Sequence, residues 1–200
     1  MSAAKVLLVY VLLLSFIPGM AQENHKKRAL LVIDVQEFYF PGGDMELKDP
    51  EAAAANMVKL INHARESKTE VIFIKHKYEP GGNIHPSIIP MKFERVYTKT
   101  KINSFIGTEL KDYLEERDIG SLVICGMQTH MCVEAATRAA ADLGYGCTVV
   151  HDACATRYLV FGDKTVRAED VHAATLSTLK SYARVVSTDE YIESLNSVEK

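Results

Sequence analysis

The feature that most constrains this fold is a series of short apolar runs that alternate with amphipathic stretches. Five runs are rich in Val, Ile and Leu, and a more polar sixth follows the second of them; all six have the length of β-strands. Strands covered on both faces read as continuous apolar runs, which is typical of a parallel sheet. The six predicted strands are residues 29–35, 71–76, 95–99, 121–127, 147–152 and 183–187.

The stretches between these runs have helical spacing. Residues 50–67 follow an Asp-Pro-Glu start and place Met57, Leu60 and Ile61 on one face. The other predicted helices are residues 108–116, 130–143, 166–182 and 189–195. Strands interleaved with helices predict an α/β fold, a three-layer αβα arrangement around a six-stranded parallel sheet.

The first residues have the layout of a signal peptide. Lys5 precedes a run of twelve residues that are apolar apart from Ser15, and Ala21 is the last small residue before a polar stretch. We predict a signal peptide at residues 1–21, a single domain at 22–200, and a secreted or periplasmic protein. The run is shorter than the roughly 20 apolar residues of a membrane span, which argues against a stable membrane anchor. A helix of the core and an uncleaved anchor are the alternatives.

Composition excludes several classes of protein. A net charge of −3 gives no basic footprint for nucleic acid, so no such partner is expected. No His or Cys pair has the spacing of a structural zinc site. Four cysteines are too few to build a disulfide scaffold of this size. Buried free thiols are expected at Cys125, Cys147 and Cys154, although a disulfide after export stays open.

Three residues near strand ends form a candidate site, walled by the irregular segments 36–48 and 77–94. Asp34 ends the first strand, Lys99 ends the third, and Cys132 lies in the first turn of the helix after the fourth. A helix N-terminus stabilises a thiolate, so a lowered pKa is expected for Cys132. Lys101 is a rival for the role of Lys99.

These groups suit nucleophilic acyl transfer, in which the cysteine attacks a carbonyl carbon and Asp34 protonates the leaving group. Backbone amides around Gln128 and Cys132 are candidates for the oxyanion hole. In a competing scheme, His130 or His151 serves as the base.

Residues 124–145 resemble the signature of the isochorismatase-like cysteine hydrolases. The frame G-x-x-T-x-x-C-V falls on Gly126, Thr129, Cys132 and Val133. The segment LLVIDVQ resembles the family's first strand, and VVHDACAT resembles a later strand and turn. In the family's second motif, a Lys stands six residues before an aromatic residue, and Gly-Thr-x-Leu follows. In this chain Lys99 has that spacing and Lys101 does not, so the motif selects Lys99. The resemblance covers roughly residues 28–187.

The resemblance implies a Rossmann-like strand order, an Asp34–Lys99–Cys132 triad and a cis peptide bond between Met127 and Gln128. That bond would direct the Gln128 amide into the oxyanion hole. Nicotinamide-hydrolysing members have an Asp-x-His metal cluster after the second strand, and this chain has no such acid there. We therefore predict no zinc and no cofactor.

The expected function is hydrolysis of a C–N bond in a small amide or ureido compound through a thioester. The predicted substrate-binding residues are Phe38, Phe40, Gln128 and His130, while His76 and His85 are expected to line the crevice or the surface. Vinyl-ether hydrolysis without a covalent step and a non-catalytic, redox-sensitive binding module are the alternatives. Family members commonly self-associate, so a homo-oligomer, a dimer or tetramer, is expected.

Overall fold

The protein folds around a six-stranded parallel sheet. The computed structural model describes residues 27–197. Its strands are β1 Lys27–Ile33, β2 Glu70–His76, β3 Arg95–Lys99, β4 Ile119–Met127, β5 Gly146–Ala155, β6 Leu159–Phe161, β7 Lys164–Val166 and β8 Arg184–Val186. The sheet has the order β3-β2-β1-β4-β5-β8, and every neighbouring pair is parallel. The predicted α/β fold and its Rossmann-like order are confirmed.

Helices cover both faces of this sheet. They are α1 Pro50–Glu66, α2 Leu110–Glu116, α3 Glu134–Asp142, α4 Ala168–Leu179 and α5 Thr188–Asn196. Helices α1 and α5 pack against each other on one face; α3 packs against α4 on the other, where α2 contacts β4. Because both faces are covered, the residues of the central strand β1 from Ala29 to Ile33 are almost fully buried.

The predicted helical face of α1 is confirmed, because Met57, Leu60 and Ile61 are buried against the sheet. Within residues 27–197, no helix is both long and apolar enough to cross a bilayer. The predicted signal peptide at residues 1–21 lies outside the described residues.

Two predicted helix starts differ from the structure in the type of element found there. Residue 166 ends β7, which pairs antiparallel with β6 in an exposed hairpin, so α4 begins only at Ala168. The helix predicted from residue 130 begins with a π-helical turn, Thr129–Val133, before α3. A short antiparallel pair leaves little periodicity in the sequence, and a π turn has the same residue preferences as an α turn. Neither feature could be told from its helical alternative.

The two irregular segments meet at the carboxyl edge of the sheet. The amide of Glu37 donates to the Asn83 carbonyl, and the amide of Phe38 donates to the Gly81 carbonyl. Side chains of the two segments also pack together, with the Phe38 and Tyr78 ring centroids 4.5 Å apart. These loops therefore form one wall beside the ends of β1 and β2, where an open parallel sheet places its ligand crevice.

Candidate active site

The structure brings the three predicted catalytic residues together at this edge. Asp34 follows β1, Lys99 is the last residue of β3, and Cys132 lies in the π turn after β4. The Lys99 Nζ atom is 2.7 Å from Asp34 Oδ2 and 3.2 Å from Cys132 Sγ. Strand β2 separates β1 from β3, and the long lysine side chain spans that gap.

The backbone of Asp34 contributes to this geometry. Its φ of +51° lies in the left-handed region, which a non-glycine residue adopts at some cost. Its amide donates to the Ile74 carbonyl of the neighbouring strand. Such positions cluster at functional sites, where the surrounding structure holds them in place.

The site is strongly dehydrated. Asp34 and Lys99 are 0% exposed, and Cys132 is 3% exposed. Buried charges are costly without a partner, and the ion pair between Asp34 and Lys99 brings opposite charges within 2.7 Å. The rival Lys101 is exposed, which leaves Lys99 as the lysine of the site.

The Cys132 thiol is harder to ionise than the sequence predicts. Burial raises the pKa of Cys132 from its ordinary 9.0 to about 12; the Asp34 carboxylate adds to the rise and Lys99 opposes it. The expectation of a lowered pKa is therefore wrong for the free protein, because dehydration outweighs the local field of the turn. At neutral pH the sulfur keeps its proton.

Asp34 is suited to accept that proton. Burial raises the pKa of the Asp34 carboxyl, and Lys99 opposes the rise. The reactive atoms of Asp34 and Cys132 lie within 4.8 Å of each other. A proton that moves from sulfur to carboxylate leaves the net charge of the buried group unchanged, whereas its loss to solvent adds a buried negative charge. Transfer inside the site is therefore favoured over ionisation to solvent.

His76 also belongs to this cluster. It is partly buried at the end of β2, and its Nδ1 atom is 3.0 Å from Lys99 Nζ. Donor atoms of Asp34, His76 and Cys132 lie within 4.8 Å of one another, a spacing that a metal ion could use. Lys99 Nζ contacts a donor atom of all three, so its ammonium takes the place of a cation at their centre.

Gln128 lies beside the nucleophile. The Met127–Gln128 peptide bond is cis, and the Gln128 side chain is buried. Its Nε2 atom is 3.2 Å from the Tyr39 hydroxyl oxygen. The predicted pocket residues Phe38 and Phe40 flank Tyr39, but in the loop wall the ring of Phe38 packs against Tyr78 and that of Phe40 stacks on His85. Their role in binding substrate stays a prediction.

The histidines proposed as bases have other partners. His130 Nδ1 is 2.6 Å from the Thr156 hydroxyl oxygen, and burial lowers the pKa of His130. His151 lies in β5, close to His172 and Glu190. Cys132 Sγ instead contacts Lys99, which favours the scheme based on Asp34 over one based on histidine.

Residues 28–190 match the isochorismatase domain family. This match covers the sheet, the loop wall and all three residues of the site. The chain belongs to the isochorismatase family.

Relatives in this family include proteins of similar length. The chain is 42% identical to YddQ, an uncharacterized isochorismatase family protein of Bacillus subtilis strain 168, across 82% of this chain and 98% of that protein. It is 31% identical to streptothricin hydrolase of Streptomyces noursei, across 64% of this chain and 54% of that protein. A crystal structure of an isochorismatase-family protein from Oleispira antarctica superposes with a TM-score of 0.81, at 44% identity, covering 84% of this chain and 97% of that one.

These findings assign the protein to the hydrolases of the isochorismatase family. Sequence reasoning considered Tyr39 only with Phe38 and Phe40, as part of an apolar wall, because the loop sequence carries no periodicity to show which ring faces Gln128. It expected His76 to line the crevice or the surface and did not predict its contact with Lys99. The position of His76 at a strand end beside that of Lys99 was a usable signal.

Proposed function

We propose that this isochorismatase-family hydrolase cleaves a C–N bond of a small amide or ureido compound through a thioester on Cys132. The observation that carries the proposal is the position of Lys99 Nζ, in contact with both Asp34 Oδ2 and Cys132 Sγ in a dehydrated site. This arrangement supplies a nucleophile, a proton acceptor and a fixed positive charge, which are the groups that acyl transfer needs.

The first half of the proposed cycle forms the thioester. Cys132 Sγ passes its proton to Asp34 and bonds to the carbonyl carbon, while backbone amides near Gln128 and Cys132 hold the oxyanion. The C–N bond then breaks, and Asp34 gives its proton to the leaving amine. The ammonium of Lys99 stabilises the sulfur while it carries negative charge.

Water completes the cycle. Asp34 takes a proton from the attacking water, the C–S bond breaks, and the sulfur regains that proton as the acid product leaves. No step needs a metal ion or cofactor, since Lys99 already supplies the positive charge between Asp34, His76 and Cys132. The relative named streptothricin hydrolase supports hydrolytic chemistry in this family.

A screen of small amides and ureido compounds, read by ammonia release, tests the proposal. Cys132→Ser is expected to lower turnover of any hit at least about a hundredfold, because a hydroxyl is a much weaker nucleophile here. Cys147→Ser is the matched control, since Cys147 is a buried thiol in β5 away from the site, and it should keep wild-type turnover. Retained activity in the Cys132 variant contradicts the proposal.

Intact-mass spectrometry during turnover separates the proposed reaction from its alternatives. A thioester adds the mass of the acyl group to the wild-type chain and not to Cys132→Ser. Vinyl-ether hydrolysis without a covalent step gives product without an adduct. A redox-sensitive binding module gives neither product nor adduct.

We further propose that the protein is exported and that its chain self-associates. Export is supported by the sequence of residues 1–21; a mature protein that starts near residue 22 in the periplasm or the medium is the expected result. An intact N-terminus in the cytosol would contradict it.

Self-association is supported by the β6–β7 hairpin and the residue before it: Tyr158, Val160 and Phe161 are 63%, 64% and 86% exposed. Light scattering after size-exclusion chromatography is expected to give a dimer or tetramer for the wild type and smaller species for Phe161→Ser. The control is Phe93→Ser, which removes an equally exposed ring (80%) elsewhere. A monomeric wild type would overturn this proposal.

A further inference from the structure

His76 and Lys99 are held side by side by the sheet. Strands β2 and β3 are parallel neighbours, and their register pairs His76 with Lys99. The amide of Lys77 donates to the Lys99 carbonyl at 2.8 Å, which ties the two strand ends together. The contact between His76 Nδ1 and Lys99 Nζ, at 3.0 Å, is therefore set by backbone pairing.

The Lys99 ammonium has three N–H groups and three contacts. Its nitrogen is 2.7 Å from Asp34 Oδ2, 3.0 Å from His76 Nδ1 and 3.2 Å from Cys132 Sγ. Because Lys99 is fully buried, an N–H group without an acceptor would carry a desolvation cost. His76 supplies the acceptor that the other two residues do not.

His76 can accept this hydrogen bond because its ring is neutral. Burial lowers the pKa of His76, the Lys99 ammonium lowers it further, and Asp34 opposes these effects. A neutral imidazole with its proton on Nε2 leaves the lone pair of Nδ1 free to accept from Lys99.

Gln36 fixes the backbone of His76. Its Oε1 accepts from the His76 amide at 2.7 Å, and its Nε2 donates to the His76 carbonyl at 2.9 Å and to the Gly82 carbonyl at 2.7 Å. Gln36 is fully buried and lies two residues after Asp34. The segment that carries the carboxylate therefore also holds the histidine that contacts the lysine.

We propose that His76 is a positioning residue, which accepts one N–H of Lys99 and so directs the other two at Asp34 and Cys132. This inference rests on the proposed function in one respect: the groups toward which Lys99 is directed, Asp34 and Cys132, are those of the proposed thioester reaction. Without the Nδ1 acceptor, the ammonium loses its fixed orientation, and the sulfur loses part of the charge that stabilises it.

Alkylation by iodoacetamide tests the proposal without a substrate. The Cys132 sulfur displaces iodide and loses its proton, and peptide mass spectrometry gives the rate at Cys132 with the Cys147 peptide as an internal reference. His76→Leu is expected to slow alkylation of Cys132 about tenfold, the effect of losing one hydrogen bond to a charged group. His76→Asn should restore most of the rate, because its Oδ1 can take the place of Nδ1.

His63→Leu is the matched control, since His63 lies on α1 away from the site, and it should alkylate like the wild type. Circular dichroism establishes that each variant is folded. Wild-type alkylation in His76→Leu, or an Asn variant as slow as the Leu variant, overturns the proposal.

The alkylation experiment and the amide screen test separate claims, so one claim can fail while the other stands. If no amide is hydrolysed but the expected order of alkylation rates is measured, the reaction assignment fails and the role of His76 stands. If turnover depends on Cys132 but His76→Leu alkylates like the wild type, the reaction assignment stands and the role of His76 fails.

Discussion

At the residue scale, the chemistry of the site depends on where one proton resides. Burial raises the pKa of Cys132, which favours a thiol in the resting site. Burial also raises the pKa of Asp34, and the Lys99 ammonium, 2.7 Å from Asp34 Oδ2, opposes that rise and favours the carboxylate. A thiolate formed by loss of its proton to solvent would leave two negative charges around one ammonium in a dehydrated pocket. The sulfur therefore depends on Asp34 for its activation more than a solvent-exposed cysteine would.

Asp34→Asn tests this dependence. The amide keeps the shape of the carboxyl group but cannot take the proton, so turnover of a screened substrate should fall about a hundredfold or more. Steady-state kinetics measures the loss, and Asp112→Asn, an exposed change on α2, is the control. An Asp34→Asn variant with a near wild-type rate would mean that another base, such as His130, serves Cys132.

Residue types and positions near strand ends were enough to select Asp34 and Cys132, whereas Lys101 stayed a rival of Lys99 until the resemblance to the family selected Lys99. The burial that reverses the expected pKa of Cys132 was not visible in the sequence. A helix N-terminus is a local feature, whereas the burial and the Asp34 carboxylate that raise the pKa of Cys132 depend on segments distant in the chain. The sequence thus indicated which groups meet but not how strongly each changes the pKa of the others.

At the element scale, the contact between β1 and β4 sets the position of Asp34. Gly126 of β4 pairs with Ile33, the residue before Asp34, and has a φ of +132°. A Cβ atom at Gly126 would overlap the Ile33 carbonyl oxygen. Only glycine lets the two strands approach this closely at the point where the carboxylate leaves the sheet.

Gly126→Ala is therefore expected to lower the free energy of unfolding by about 3 kcal/mol or more, because backbone strain and overlap add. Urea unfolding measures the change. Gly144→Ala is the control: its φ is +88°, and among the described residues no atom lies within 4 Å of the added carbon. It should cost about 1 kcal/mol from strain alone. Equal losses in the two variants would show that the strand contact is not the cause.

Strands β1, β2 and β4 were predictable because most of their residues are buried on both faces and therefore read as apolar runs. The β6–β7 hairpin was not, since its strands have three residues each and largely exposed side chains. The π turn at Thr129–Val133 was missed for a related reason: its hydrogen-bond pattern leaves no distinct mark on residue spacing.

At the scale of the whole molecule, four buried thiols make the fold sensitive to alkaline pH. Burial raises the pKa of Cys147 to about 11, of Cys132 and Cys154 to about 12, and of Cys125 well above the ordinary 9.0. In the unfolded chain these groups return to about 9.0, so above that pH the unfolded state binds fewer protons than the native state. The contribution of the neutral thiols to the free energy of unfolding is fully present below about pH 9 and is lost as the pH rises above it.

Urea unfolding from about pH 8 to 11 should show this as a falling free energy of unfolding, with each thiol contributing up to about 1.4 kcal/mol per pH unit. Cys147→Ala removes one ionising group. The free energy of unfolding of this variant should therefore fall less steeply with pH, by up to about 1.4 kcal/mol per pH unit. Val149→Ala, another buried residue of β5, removes apolar volume and should lower stability equally at every pH. Tyrosine ionisation is common to all variants, so the difference in slope isolates the thiol. A Cys147→Ala slope equal to that of the wild type would show that burial of this thiol does not couple its proton to folding.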